Sequence, residues 1–169
     1  MQNSIFEELT TAINAVINLN NENPPPTDIR EEITLDEILG LLFKIGKNKI
    51  EFSEEERKVI GPLMKEIIQN IDDFISVMIT YDPEAELDNL IRRSGIQFLL
   101  DNFKEFPVTA NEVLGDSLKM LQESENLEEF DESLMTDHPL GLGYVPFSPA
   151  ELKRPEGVPE THKWWYNVD

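Results

Sequence analysis

An apolar stripe on the segment from Ser53 to Asp82 constrains the fold more than any other feature of the chain. Apolar residues recur there at steps of three and four, the spacing of one helix face. They are Ile60, Leu63, Met64, Ile67, Ile68, Ile71, Phe74, Ile75, Met78 and Ile79. A stripe this wide has to be covered on more than one side, so the segment predicts the central long helix of a bundle. Gly61-Pro62 predicts a kink or a short first helix near its start.

Capping boxes, in which Ser or Thr is followed three residues later by Glu, mark the starts of four helices. They are Ser4 with Glu7, Thr34 with Glu37, Ser53 with Glu56, and Thr109 with Glu112. The first helix is expected to end near residues 18–20. Gly46 is interpreted as the left-handed cap that ends the second helix, and Ser94-Gly95 as a break in a later one.

Residues 21–33 contain three successive prolines, which favour extended backbone, and predict a linker inside the helical domain. No repeat of fixed period connects the capping boxes, and strand patterns are nearly absent before Thr136. The chain is therefore predicted to be all-α, with one helical bundle domain at residues 1–135. We expect about five to seven helices around a central long helix.

The pattern changes from Thr136, where prolines and glycines exclude a long helix and predict an irregular C-terminal arm at residues 136–169. Large aromatic side chains are concentrated in this arm, although free tails are normally poor in them. The predicted interaction residues of the arm are Tyr144, Phe147, Trp164, Trp165 and Tyr166. Two interpretations stay open. The arm packs on its own bundle, with Trp164 or Trp165 filling a groove between helices, or it docks on another subunit or partner, for example by reciprocal exchange in a homodimer.

The run from Glu123 to Asp137 contains seven acidic residues and no basic residue. Its apolar residues Leu127, Phe130 and Leu134 stand at helical spacing. The run therefore predicts a short last helix, which either inserts these apolar residues into the basic groove of a partner or is simply solvated on its acidic face. On the second interpretation Asp131 and its acidic neighbours only face solvent.

The charge balance is extreme, since 34 acidic residues against 14 basic ones give a net charge of −20. Such a field repels phosphates and disfavours direct binding of nucleic acid. It fits either a highly charged solvated surface or a surface that meets a basic partner. The basic pairs, including Arg92-Arg93, are too small for a nucleic-acid footprint and are expected to pair with the surplus acids.

The sequence contains no apolar run of the roughly 18–20 residues that cross a bilayer, so no membrane association is expected. The first residues lack a basic region and contain Glu7 and Glu8, which argues against a signal peptide. Disulfides are excluded because the chain has no cysteine. The cytoplasm is the expected compartment.

No motif for catalysis, cofactor binding or metal binding is recognisable in the sequence. His138 and His162 are the only histidines, and neither belongs to a Glu-x-x-His or His-Glu-x-x-His motif. His162, beside Lys163 and Trp164, is interpreted as a surface residue. We therefore expect no catalytic residue, no cofactor and no metal.

Three functional hypotheses follow. The first is a non-enzymatic, acidic, intracellular module that assembles with itself or with a protein partner through the arm and the acidic helical surface. The second is an inhibitor or immunity-type protein that imitates nucleic acid and blocks a basic site. The third is a small-molecule or enzymatic role in a pocket between bundle and arm, lined by Tyr144, His162 or a tryptophan.

Overall fold

The computed structural model describes residues 4–20, 28–69, 86–101, 119–136 and 152–165. Five helices have both ends in these ranges: α1 (Ser4–Asn20), α2 (Asp28–Asn48), α3 (Glu54–Gln69), α4 (Glu86–Asp101) and α5 (Glu125–Thr136). Residues 119–122 are also helical, and no strand occurs in the described ranges. The predicted all-α class is confirmed. Residues 70–82 of the Ser53 stripe and the capping box at Thr109 lie outside the described residues.

The helices follow one another in space as a chain of contacts. α2 packs against α1 on one side and α4 on the other, α3 packs against α1, and α4 packs against α5. Among the described helices α2 therefore takes the central position that the sequence assigned to the Ser53 segment. The reason is that α2 is apolar on several faces: its buried side chains are Leu35, Ile38, Leu39, Leu41, Leu42, Phe43 and Ile45.

Two apolar clusters form the core. The first joins α1 to α4 and contains Leu9, Ile13, Leu39, Ile60, Met64 and Ile96 among others. The second lies where α2, α4 and α5 meet the C-terminal arm, and contains Phe43, Leu90, Phe98, Phe130, Leu134, Leu152, Val158, Trp164 and Trp165. Phe43 of α2 belongs to the second cluster while its neighbour Leu42 belongs to the first, so α2 separates the two.

The ends of the helices confirm some predictions and correct others. The backbone amide of Ser53 donates to Glu56 Oε2 at 2.7 Å and the amide of Glu56 donates to Ser53 Oγ at 3.2 Å, so this capping box is confirmed. α1 spans Ser4–Asn20, as its sequence predicts. α2, in contrast, begins at Asp28, so the linker predicted at residues 21–33 is too long and Thr34 lies inside the helix. No proline or glycine interrupts residues 28–39, and good helix formers there extend the helix beyond its apolar stripe.

The C-terminal end of α2 uses a different residue from the one that the sequence indicated. Lys49 has a positive φ of 50°, its amide donates to the Gly46 carbonyl, and the amide of Ile50 donates to the Ile45 carbonyl. These two bonds form a Schellman motif with Lys49 as its left-handed residue. Gly46 is instead helical and small for a packing reason, because a Cβ there would overlap the Phe98 ring of α4.

Two helices continue past residues at which the sequence predicted a helix end or a break. α3 runs through Pro62 as a single helix, where burial of Ile60, Met64 and Ile67 compensates for the hydrogen bond that proline cannot make. α4 likewise continues through Ser94 and Gly95. Gly95 lies against the backbone of α2, where a Cβ would overlap the Leu39 carbonyl oxygen. Glycine is thus required by the close approach of two helices and not by a turn.

We expect Gly95→Ala to lower the free energy of unfolding by about 1–3 kcal/mol, because the added methyl group meets backbone that cannot rotate away. Gly40→Ala is the matched control, since a Cβ at Gly40 has no neighbour within 4 Å. The control should leave stability unchanged or raise it by up to about 1 kcal/mol through helix propensity. Urea unfolding followed by circular dichroism measures both. Equal effects of the two substitutions would contradict the close α2–α4 contact.

Candidate functional site

The most concentrated polar chemistry in the described residues is a buried cluster where the arm meets α4. It consists of Ser94, His162, Trp164 and Trp165 and is called the Ser94 cluster below. Both indole N–H groups donate to Ser94 Oγ, at 3.0 Å from Trp164 and 2.7 Å from Trp165, and His162 Nδ1 lies 2.9 Å from the same oxygen. Ser94 and His162 are 0% and 1% exposed. One hydroxyl group therefore holds three side chains of the arm.

The hydrogen bonds assign the protonation state of His162. A serine hydroxyl has one proton and two lone pairs, and the two indoles occupy both lone pairs. The Ser94 proton is therefore donated to Nδ1, which leaves the imidazole neutral with its own proton on Nε2. That nitrogen is buried without a hydrogen-bond partner, and Asp101 Oδ2 lies 3.9 Å from it.

Burial of the His162 ring lowers its pKa from 6.5 to about 4. Asp101 opposes this effect because its negative charge favours the imidazolium, whereas the guanidinium groups of Arg93 and Arg154 reinforce it. The rings on either side explain the desolvation, since Phe98 and Trp164 lie 4.8 Å and 5.0 Å from the imidazole, centroid to centroid. At neutral pH the ring is uncharged.

Arg93 links the Ser94 cluster to α5. Its guanidinium donates to both carboxylate oxygens of Asp131, donates to Gln97 Oε1 at 3.1 Å, and lies 4.1 Å from the centre of the Trp164 ring. The interpretation of Asp131 as a purely solvated acid is therefore wrong.

Arg92 makes a second bidentate pair, with Asp36 of α2. The prediction that Arg92 and Arg93 pair with acidic residues is confirmed, and both pairs lie within the chain.

The described part of the arm, residues 152–165, reaches the Ser94 cluster through tight turns. The amides of Val158, His162 and Trp165 each donate to a carbonyl three residues earlier. Gly157 has a φ of +88° at the third position of the first turn, where a side chain would be strained, and it packs against the Lys47 carbonyl. Proline and glycine thus shape the segment to present two adjacent indoles to one oxygen.

A serine beside a histidine raises the question of nucleophilic catalysis. In this cluster both lone pairs of Ser94 Oγ accept indole protons, and the oxygen is closed off from solvent. A nucleophile needs an accessible lone pair and a base that removes its proton towards a substrate. His162 accepts the proton of Ser94, but no lone pair of the oxygen is accessible, so in this arrangement the cluster is structural.

The predicted interaction residues that the structure describes are all buried inside the protein. Trp164, Trp165, Leu127, Phe130 and Leu134 are at most 7% exposed and belong to the core. In this arrangement they do not form an exposed docking face. His162 was interpreted as a surface residue, and that is wrong because the turns carry it beneath the indoles. Tyr144, Phe147 and Tyr166 lie outside the described residues.

Ser94 was missed because serine next to glycine suggests a helix break. A signal for it exists in the sequence, since Leu90 and Phe98 stand four residues before and after it. A serine at the centre of an apolar helix face is buried on folding, and a buried hydroxyl requires partners. The sequence offers few donors that are both large and apolar, and the two tryptophans are among them.

A second feature is the acidic outer side of α5. Its exposed glutamates, called the acidic face below, are Glu125, Glu128, Glu129 and Glu132. A groove of about 550 Å³ runs beside it towards α4, and its described lining includes Glu123, Glu128, Asp131 and Glu132 together with Gln97 and Gln122. The cation at this groove, Arg93, is already paired with Asp131. The described lining of the groove therefore has more carboxylates than cations.

Comparisons with protein-family models, with curated proteins and with solved structures find no match for this chain. In the described ranges no group of three or more His, Asp or Glu side chains is placed to share a metal ion. None of the described helices has both the length and the apolar character that crossing a membrane requires.

We expect Ser94→Ala to destabilise the protein by at least about 3 kcal/mol, because it leaves two indole N–H groups and one imidazole nitrogen buried without a partner. Ser133→Ala is the matched control, since the Ser133 hydroxyl only donates to the Glu129 carbonyl at the surface. The control should change stability by no more than about 0.5 kcal/mol. Urea unfolding followed by tryptophan fluorescence measures both. A loss below 1 kcal/mol for Ser94→Ala would contradict the cluster.

Protonation of His162 should couple stability to pH. The unfolded chain binds this proton with a pKa near 6.5 and the folded chain only near 4, so stability falls as the pH drops from 6.5 to 4. The slope approaches about 1.4 kcal/mol per pH unit, and the total is on the order of 3 kcal/mol. His162→Asn cannot titrate but keeps an acceptor for the Ser94 proton, so it should remove this component.

The measurement is the difference in unfolding free energy between wild type and variant at each pH, which cancels the titration of the shared carboxylates. Ser133→Ala, which leaves every titratable group in place, is the control and should keep the wild-type slope. If His162→Asn and wild type lose stability in parallel between pH 6.5 and 4, the assignment is wrong.

Proposed function

We propose that this protein is a non-enzymatic protein-interaction module that binds a basic partner protein through the acidic face of α5 and the groove beside it. The observation that supports this most directly is the division of α5 into two sides. Leu127, Phe130 and Leu134 are buried in the core, while the exposed residues described on the opposite side are acidic or polar. A partner on this outer side of α5 therefore meets mainly charge.

Charge complementarity fits this surface better than self-association does. Two copies that each carry −20 repel one another unless apolar contacts overcome the repulsion. Exchange of arms between two copies, which the sequence left open, would reproduce the contacts of residues 152–165 between chains instead of within one. It remains the competing form of the proposal. Sedimentation at low and high salt separates the two forms, because the acidic-face proposal expects a monomer and arm exchange expects a dimer.

The spacing of the acidic face favours a second candidate, an inhibitor that imitates nucleic acid. Glu125, Glu128, Glu129 and Glu132 occupy one side of the helix, on which successive residues rise about 1.5 Å. Along the axis these charges lie about 4.5, 1.5 and 4.5 Å apart, so the average charge density is close to that of one DNA strand, which has one phosphate per roughly 3.4 Å. A basic site shaped for a phosphate backbone fits such a row.

In this proposal the arm has a structural role. It packs on α4, and Arg93 of α4 in turn holds α5 in place. The cytoplasm is proposed as the compartment because a chain without cysteine gains nothing from an oxidising one.

The proposal predicts binding of a lysine- and arginine-rich synthetic peptide that weakens steeply as salt is raised, because exposed charges are screened. The triple variant Glu125→Gln, Glu128→Gln, Glu129→Gln should weaken binding about tenfold at low salt, if each lost pair contributes a few tenths of a kcal/mol to about 1 kcal/mol. The variant Glu7→Gln, Glu8→Gln, Glu55→Gln removes the same charge from exposed positions elsewhere and should bind like wild type. Fluorescence anisotropy of the labelled peptide measures all three.

A charge-conserving rearrangement tests the row itself. Glu128→Gln combined with Asn126→Glu keeps the net charge but moves one charge off the row, since Asn126 is exposed about 100° around the helix from Glu125. Loss of binding in this variant supports nucleic-acid imitation, and retained binding supports a general acidic surface. If the two triple variants weaken binding equally, only net charge matters and the proposed site is wrong.

A further inference from the structure

A cavity of about 370 Å³ lies where the arm closes over the ends of α2 and α4. Its described walls come from the last turn of α2, the link to α3, the first turn of α3, the end of α4, and Gly157 and Pro159 of the arm. Small-molecule sites typically measure about 300–1,000 Å³ and are mostly apolar with a few convergent polar groups. The size and the setting of this cavity correspond to such a site.

The walls of the cavity combine apolar side chains with side chains of both charges. Leu42, Ile45 and Phe98 form a buried apolar side. Four charged residues line the cavity as well, and they are Lys49, Arg57, Glu51 and Asp101. The two cations and two acids balance one another, although the whole chain carries −20. This neutral set contrasts with the acidic groove beside α5.

The charged groups keep capacity for a ligand. Within the described residues no ion pair joins Lys49, Glu51 or Arg57 to a neighbour. Arg57 Nε donates a hydrogen bond to the Phe52 carbonyl at 3.0 Å. That bond orients the guanidinium and leaves its terminal nitrogens to donate. Asp101 accepts from Gln97 Nε2 through Oδ1 at 2.8 Å.

The partnerless nitrogen of His162 lies next to this cavity. Nε2 lies 3.9 Å from Asp101 Oδ2 and the imidazole packs on Phe98, and these two of its neighbours are cavity walls. Buried polar atoms without partners are rare in folded proteins. Asp101 Oδ2 lies beyond hydrogen-bond distance of this donor and keeps the capacity to accept a hydrogen bond from a ligand.

We propose that this cavity binds a small zwitterion with an apolar body, of the class of apolar α-amino acids. Lys49 and Arg57 receive the carboxylate, Asp101 and Glu51 receive the ammonium group, and the apolar side chain lies on Leu42, Ile45 and Phe98. A simple anion would leave both wall acids unpaired and would meet the repulsion of the −20 chain. A simple cation would leave Lys49 and Arg57 unpaired. Only a ligand with both charges matches the whole set.

Titration of the full-length protein with L-phenylalanine, followed by NMR of the backbone amides, tests the proposal. A ligand of this size binds with a Kd on the order of a millimolar. The expected result is saturable shifts at Gly46, Lys49, Phe52 and Gly157. Phenethylamine lacks the carboxylate and 3-phenylpropionate lacks the ammonium group, so each should bind about tenfold more weakly. Equal binding of all three compounds, absence of saturation, or shifts confined to other residues would each overturn the proposal.

Two variants complete the test. Arg57→Gln and Asp101→Asn each remove one charge from the cavity and should weaken binding of L-phenylalanine about tenfold, while circular dichroism confirms that the helices are intact. Lys58→Gln is the matched control, because Lys58 pairs with Glu54 on the exposed side of α3. The triple variant of the acidic face should also bind L-phenylalanine like wild type, so failure of this site is distinguishable from failure of the proposed interaction surface. Unchanged binding in both cavity variants would overturn the inference.

Discussion

The hydroxyl group of Ser94 is the constraint on which the rest of the described structure depends. A single oxygen that binds two indoles and an imidazole is fully saturated, and each of those three groups would be costly to bury unpaired. The turns of residues 155–165 therefore have to follow one path over α4. Satisfying one small polar group in an apolar helix face thus determines the position of a whole irregular segment.

The residues on either side of Ser94 fix α4 against other helices. Arg92 pairs with α2, Arg93 pairs with α5 and stacks on Trp164, and Gly95 admits the α2 backbone. Four successive residues of one helix therefore contact three different elements, because consecutive helical positions point about 100° apart. Both arginines pair with acids of the chain, so neither adds an unpaired positive charge to the surface beside it.

The sequence predicts what depends on local pattern and misses what depends on contacts distant in sequence. The helical class, the extent of α1, the cap at Ser53 and the last helix follow from apolar period and capping chemistry, and all are confirmed. The predicted C-terminal cap of α2 and the predicted break in α4 were both wrong for one reason. Each glycine was interpreted as a residue needed for an unusual backbone conformation. Gly46 and Gly95 are small because another helix approaches them, and no local signal distinguishes this from a cap or a break. The Ser94 cluster joins residues about 70 positions apart, and only the helical position of Ser94 hinted at it.

Burial of the aromatic residues changes what a partner can recognise. Tryptophan is the side chain that most often dominates binding energy, and both tryptophans of this chain are used internally. The described surface then offers exposed charge on α5 and the mixed cavity at the arm. Exposed charge mainly accelerates association and selects partners by sign, whereas affinity comes from desolvated contacts. A partner that binds tightly at the acidic face must therefore supply its own apolar or aromatic anchors. Half-buried Leu100, in the wall of the groove towards α4, is apolar surface that can receive them.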